Sequence, residues 1–233
     1  MSHPMEEHAR PGLLSDFILG SQDGLVNVLG ILLGLTVATH DARIIYIASL
    51  AALAAESISM GAVAYTSTRA RRQLYLAEQH REQVEMRELP DIEREEVRVI
   101  FRKWGFVGEE LEHMVRAIEA KPQAMLDLMM AFELHLAPVS ENQPRDSAMV
   151  VLAATVVGSF IPLIPYFLLP SALTTAAVVS IVLSAGMLFG VGWYEAKTTI
   201  GVTWKSGLRM VLIGLGAGFA GFAIGYLANG TLN

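Results

Sequence analysis

The sequence has no cysteine. That excludes disulfides and any metal held by thiolates. It is poor in positive charge: 17 Lys and Arg stand against 23 Asp and Glu, for a net charge of −6. A nucleic-acid-binding surface needs a basic face, so the acidic balance argues against that class. The N-terminal stretch "MSHPMEEHARPGLLSDF" lacks a basic segment followed by a short apolar core and a cleavage site, and predicts no signal peptide. Charge of either sign is nearly missing from long blocks, because it is concentrated between Arg69 and Glu133. What fills the blocks is apolar. The 233 residues are 53% hydrophobic with a mean hydropathy of +0.44, above the roughly 45–50% of a soluble domain.

Five apolar runs are long enough to cross a bilayer core of about 30 Å, which takes about 20 helical residues. They cover Phe17–Thr39, Ile44–Tyr65, Ala148–Leu169, Ala172–Trp193 and Leu208–Ala228. The third holds Pro162 and Pro165 in "FIPLIPYF", where proline removes a backbone hydrogen bond and kinks a helix. Small residues one turn apart, at Gly30/Gly34, Gly186/Gly190, Gly214/Gly218 and Gly221/Gly225, let helix backbones approach closely, within one chain or between two. Arg69, Arg71 and Arg72 follow the second run, and Lys197, Lys205 and Arg209 flank the link between the fourth and fifth, whereas "HDARI" and "LPSA" carry only Arg43. The excess of basic residues on cytoplasmic loops places the N-terminus and the middle segment in the cytoplasm and the C-terminus outside.

The middle segment reads as helices. "RQLYLAEQHREQVEMREL" continues the second span until Pro90-Asp91 breaks it. "IEREEVRVIFRKWG" forms a helix ending at Gly105, "GEELEHMVRAIEA" forms the next, and Pro122 opens "PQAMLDLMMAFELHL", which Pro138 closes. Their apolar faces (Val97, Ile100 and Phe101; Leu111, Met114 and Ile118) suffice for a small bundle packed on a partner copy. The expected fold is therefore all-α: a polytopic membrane protein of five transmembrane helices, with a cytoplasmic helical domain inserted between spans two and three. The divisions are 1–72, 73–138 and 139–233.

Acids inside the membrane runs need an explanation, since a carboxylate at a bilayer centre costs on the order of 2.5–3.5 kcal/mol on insertion scales. Asp23, Asn27, Gly30 and Gly34 lie on one helix face, and Glu56, Ser59 and Met60 on another. With no intramembrane Lys or Arg to pair with, the two acids fit a cation path, although polar pairing within the bundle would also use them. Met60 offers a thioether, which suits a transition metal better than magnesium or calcium. In the middle segment Glu78, Glu82 and Glu85 fall on one face, Glu93 and Glu96 are one turn apart, and Met129 and Met130 lie within a turn of Glu133. By pattern alone, such a face is equally a solvated, arginine-laced helix surface, and such a Met pair is equally core filling.

These motifs taken together resemble the vacuolar iron transporter family of yeast and plants, over nearly the whole chain from Asp16. The resemblance rests on "Asp23-Gly24-Leu25", on "Ile58-Ser59-Met60-Gly61", on the paired Glu-x-x-Glu of Glu82/Glu85 and Glu93/Glu96, on "Met129-Met130-Ala131-Phe132-Glu133-Leu134" and on "Ile161-Pro162-Leu163-Ile164-Pro165-Tyr166-Phe167". It implies a five-span homodimer in a lipid bilayer that moves Fe²⁺, and Mn²⁺ as well, out of the cytosol in exchange for protons. It implies a path at the dimer interface lined by Asp23 and Met60, with Asn27 and Glu56 on the same faces. It also implies a cytoplasmic domain that binds the ion through Glu82, Glu85, Glu93, Glu96, Met129, Met130 and Glu133. Two positions depart from the family pattern. Gln22 replaces a serine, and the span-two acid that plant members carry two turns before the methionine is Ala52 here, with Glu56 one turn before Met60 and about 6 Å along the axis.

The implied function needs no catalytic residue. The competing enzyme reading, a membrane di-iron carboxylate oxidase, needs Glu-x-x-His from two helices. The sequence offers only Glu110 to His113. A third reading is a non-transporting membrane scaffold with an acidic interaction domain. Oxygen and thioether ligands also admit Co²⁺ and Zn²⁺. The short chain points to a prokaryotic inner membrane, or the vacuolar membrane if the source is eukaryotic.

Overall fold

A computed structural model describes residues 11–39, 41–199 and 201–232, with side chains from 12 to 227 within these. The first ten residues, on which the absence of a signal peptide was read, lie outside them. So do His40 in the first link and the side chain of Ala228 at the end of the fifth span.

The described residues form eight helices and no strand. They are α1 (Pro11–Ala38), α2 (Ala42–Glu88), α3 (Pro90–Lys103), α4 (Gly108–Glu119), α5 (Pro122–Phe132), α6 (Gln143–Leu168), α7 (Leu173–Thr198) and α8 (Thr203–Leu232). Five of them, α1, α2, α6, α7 and α8, are long and apolar enough to cross a membrane. In hydrocarbon every backbone polar group must be satisfied within the chain, and a helix does that locally. The chain divides into two compact units. One comprises the residues up to Tyr65 and those from Arg145 onward; the other is Thr66–Pro144.

In the first unit, α1 is the hub. Val28 and Leu32 pack with Ile45 and Leu53 of α2, Leu163 and Tyr166 of α6, and Ala176 of α7. Leu25, one turn earlier, packs with Leu188 and Val191 of α7 and Met210 of α8. Small residues set the approach of α1 to α8: a Cβ on Gly225 would stand 2.2 Å from the Gly34 carbonyl oxygen, and one on Gly221 2.4 Å from that of Gly30. Those two pairs serve packing within the chain, while Gly186 and Gly190 meet nothing within 4 Å.

Helix α6 runs through both internal prolines. The Ser180 hydroxyl of α7 donates to the Pro162 carbonyl at 2.7 Å. Pro170 has no N–H to offer the Tyr166 carbonyl four residues earlier. The Tyr46 hydroxyl of α2 donates to it instead, at 2.5 Å.

The second unit is built from the polar end of α2 with α3, α4 and α5. The turn at Leu89-Pro90 ends α2 at Glu88, after 47 helical residues. Val97, Ile100 and Phe101 of α3, Leu111 and Val115 of α4, and Met125 and Met129 of α5 form its core. Arg94 and Arg98 tie α3 to α4 through Glu119 and Glu112, at 2.5 and 2.7 Å. Gly105 and Gly108 supply the left-handed conformations (φ +95° and +59°) of the α3–α4 turn.

The fourth helix of this segment is shorter than its sequence suggests. It ends at Phe132 rather than running towards Pro138. His135 takes φ +54°, and the N–H groups of Leu134 and Leu136 turn back to the carbonyls of Met129 and Met130. These bonds satisfy two of the carbonyls at the helix end and turn the chain out of the helix. Glu133, expected inside the helix, is thereby its C-cap residue.

Candidate metal centre

The acidic face of the second unit is drawn together by the break at Pro90. Glu82 and Glu85 lie on the last turns of α2, and α3 carries Glu93 and Glu96. One carboxylate oxygen each from Glu82, Glu85 and Glu93 lies within 4.8 Å of the other two, the one such acidic group among the described residues. Glu82 and Glu93 are almost fully buried, at 2% and 3% exposure. Charged groups are rarely buried like this unless paired or bound to a cation. The Oε2 atoms of Glu82, Glu93 and Glu133 are buried without a hydrogen-bond partner among the described residues.

Electrostatics extends the group to Glu96 and Glu133. Burial first, then repulsion from Glu96, Glu82, Glu133 and Glu85, pushes the Glu93 carboxyl up to about 7. Burial, then Glu96, Glu82 and Glu85, does the same to Glu133, also to about 7, with Arg81 opposing. Glu82 and Glu96 are raised by burial and by Glu85 beside them. The five carboxyls therefore lie near enough to repel one another. A divalent cation there would replace protons as the neutralising charge.

Arg81 is the residue the sequence reading missed. Its guanidinium lies 2.7 Å from Glu78 and 3.7 Å from Glu85. The signal was the ordinary i,i+3 and i,i+4 spacing on α2. Among the described residues neither Glu82 nor Glu93, on the buried side, has an ion-pair partner.

The two methionines fall differently. Met129 is fully buried in the apolar core of the unit, the place of a packing residue. Met130 is also buried, at 1% exposure. Both stand one turn before Glu133, whose N–H bonds the Met129 carbonyl at 3.0 Å.

A second acidic group lies in the first unit. Asn27 of α1 donates its amide N–H to Glu56 Oε1 of α2, and Asp23 lies close enough to share a side-chain hydrogen bond with Glu56. Residues that the sequence puts on two separate helix faces thus converge. Met60 is half-buried one turn along α2, and Ala52 one turn before Glu56 is half-buried as well. Asn27 is exposed at the edge of an open, mainly apolar groove of about 590 Å³ between α1, α2 and α8. Glu110 and His113, the single oxidase-like pair, are exposed on α4.

The sequence matches the VIT family over residues 14–226. Vacuolar iron transporter 1 of Eucalyptus grandis is 36% identical over 94% of this chain and 88% of its own length. Vacuolar iron transporter 1 of Arabidopsis thaliana is 34% identical over 96% of this chain and 90% of its own. Protein CCC1 of Saccharomyces cerevisiae is 27% identical over 92% and 69%. The five apolar helices, the inserted acidic unit and the match across nearly the whole chain agree, and this protein belongs to the VIT family.

Proposed function

We propose that this protein exports Fe²⁺, and Mn²⁺ with it, from the cytosol by proton antiport, without chemistry on the ion. The observation that carries the reading is the pair of acidic groups: buried, unpartnered carboxylates in the second unit, and Asp23 with Glu56 between two membrane helices. The named relatives are iron transporters, and a chain holding both groups has a place to collect a divalent cation and a place to pass it through lipid. In this reading Glu82, Glu85, Glu93, Glu96 and Glu133, with Met130 as a thioether ligand, collect the ion on the cytoplasmic side, and Met129 packs the core beside them.

Asp23 and Glu56 are then the exchange point. Two carboxyls that share one hydrogen bond hold a proton between them, and a cation arriving there displaces it. Asn27 orients Glu56, and Met60 offers sulfur to the passing ion. Glu56 takes the part of the acid missing at Ala52. The exposed Asn27 and the apolar groove beside it suit a homodimer in which two copies face one another across the path. Basic residues at the ends of the spans favour a cytoplasmic second unit. The host membrane is the plasma membrane of a prokaryote, or a vacuolar membrane.

Flux into proteoliposomes tests the reading. Fe²⁺ or Mn²⁺ uptake should require the protein, follow an imposed pH gradient and alkalinise the lumen in step with metal entry. Binding without flux favours the acidic scaffold, and oxidation of Fe²⁺ in step with oxygen consumption favours the oxidase.

A further inference from the structure

We propose that the junction of α7 and α8 is a binding site for the headgroup of an anionic phospholipid. The site needs only the membrane-spanning fold and does not depend on the ion path. A polar cavity of about 330 Å³ opens there, lined by Lys205, Arg209, Ser206, Thr199 and Glu195 among others. Two cations face one carboxylate, so the lining carries a net positive charge. Among the described residues neither Lys205 nor Arg209 has an ion-pair partner.

The single carboxylate is already engaged. The Ser206 hydroxyl donates to Glu195 Oε2 at 3.4 Å, and Arg209 Nη2 donates to the Ser206 oxygen at 3.4 Å. These linked hydrogen bonds hold Arg209 at the cavity, and among the described residues the Lys205 ammonium has the Trp204 ring, 5.8 Å from its centroid, and no ion pair. The partial positive charge of the α8 N-terminus adds to the same potential.

Two features make the ligand a lipid rather than a soluble anion. Trp193 and Trp204 are about half exposed, and Lys197 sits over the Trp193 ring at 5.1 Å. Exposed tryptophans beside lysines mark the headgroup level of a membrane interface. Next to the polar cavity is a more apolar cleft of about 520 Å³ between α1 and α7. Leu14, Ile18 and Leu19 line it, and it shares Glu195 and Thr199 with the polar cavity. A basic pocket bordering an apolar cleft at the interface fits a phosphate with an acyl chain attached.

The full chain in phosphatidylcholine nanodiscs tests this by tryptophan quenching with brominated lipid. Brominated phosphatidylglycerol should quench saturably at mole fractions where brominated phosphatidylcholine gives only proportional, non-saturating quenching. Each basic residue at such a surface contributes about five-fold in affinity, so Lys205→Gln should weaken the effect about five-fold. Lys205→Gln with Arg209→Gln should abolish the preference, and Lys205→Arg should keep it, which separates loss of charge from loss of fold. Equal quenching by the two lipids, or an unchanged preference in the double variant, overturns the proposal. So does full competition by millimolar inorganic phosphate, which would make this a soluble-anion site.

Discussion

Glu93→Gln should make the metal-free protein more stable at pH 8 while removing its response to metal. The Glu93 carboxyl titrates at about 7 against an ordinary 4.5 because it is buried among other glutamates. It therefore binds its proton more tightly in the folded chain than in the unfolded one. The stability this proton lends is fully present below pH 4.5 and lost as pH rises through 7. At 1.36 kcal/mol per pH unit the gap amounts to about 3 kcal/mol. Glutamine keeps the shape and removes the charge. A buried amide with an imperfect partner costs about 1 kcal/mol, which leaves a net gain of about 2 kcal/mol at pH 8 and no gain at pH 4.5 and below.

Amide hydrogen exchange of α3 in the full chain, purified in detergent with a chelator, reads this locally. After correction for intrinsic rates, α3 of the variant should exchange about 30-fold more slowly than wild type at pH 8, which is 2 kcal/mol expressed as a ratio of populations. The difference should fade as pH falls. Adding Mn²⁺ should slow α3 of the wild type much more than α3 of the variant. A variant that opens faster at pH 8, or gains as much protection from Mn²⁺ as wild type, refutes the reasoning. Glu93 would then be a structural residue with a partner of its own.

Asp23→Asn should leave a folded protein that binds metal in the second unit but gives no flux in liposomes, because the amide cannot exchange a proton for a cation. Met129→Leu and Met130→Leu, made singly, keep apolar volume and remove only sulfur. Weaker Co²⁺ binding by calorimetry is expected for Met130→Leu, whereas Met129→Leu, in the apolar core, should change stability by less than about 1.5 kcal/mol. Tyr46→Phe leaves the Tyr166 carbonyl without its donor and should cost about 1–3 kcal/mol in thermal unfolding. Gly225→Leu should lower the melting temperature more, because even a Cβ there meets the Gly34 carbonyl at 2.2 Å.

The membrane helices were legible because a run of some 20 residues without charge has one stable form in lipid. Their ends were less so. Helix α7 continues past Trp193 to Thr198, and α8 begins at Thr203 rather than Leu208, since hydropathy falls at Lys197 and Lys205 while the backbone stays helical. The early stop of α5 depends on His135 adopting a left-handed conformation, which no apolar period announces. The glutamates of the second unit were visible as a face, but a face of glutamates interleaved with arginine reads the same whether solvated or buried. The turn at Pro90 decides it, by bringing Glu93 of α3 against Glu82 of α2, and that is a tertiary event. The contact of Asn27 with Glu56 has the same origin: each residue's face follows from helix period, while the rotation of α1 against α2 follows from packing around Val28, Leu32 and Leu53.

The two acidic groups balance their charge in different ways, and in the proposed cycle the difference gives a direction. Glu82, Glu93 and Glu133 each keep a buried oxygen without a donor, so a cation gains their full attraction and relieves their repulsion. Glu56 is already satisfied by Asn27 and close to Asp23, so a cation there must displace an amide hydrogen bond, and in the proposed cycle a proton, before it gains anything. A charge-assisted hydrogen bond of this kind is worth roughly 1.5–3 kcal/mol, equivalent to a ten- to hundred-fold weaker hold on the ion. Tight collection in the second unit and weak, proton-exchanging contact between α1 and α2 suit a carrier. Affinity gathers a scarce ion from the cytosol, while a site inside the membrane must let it go.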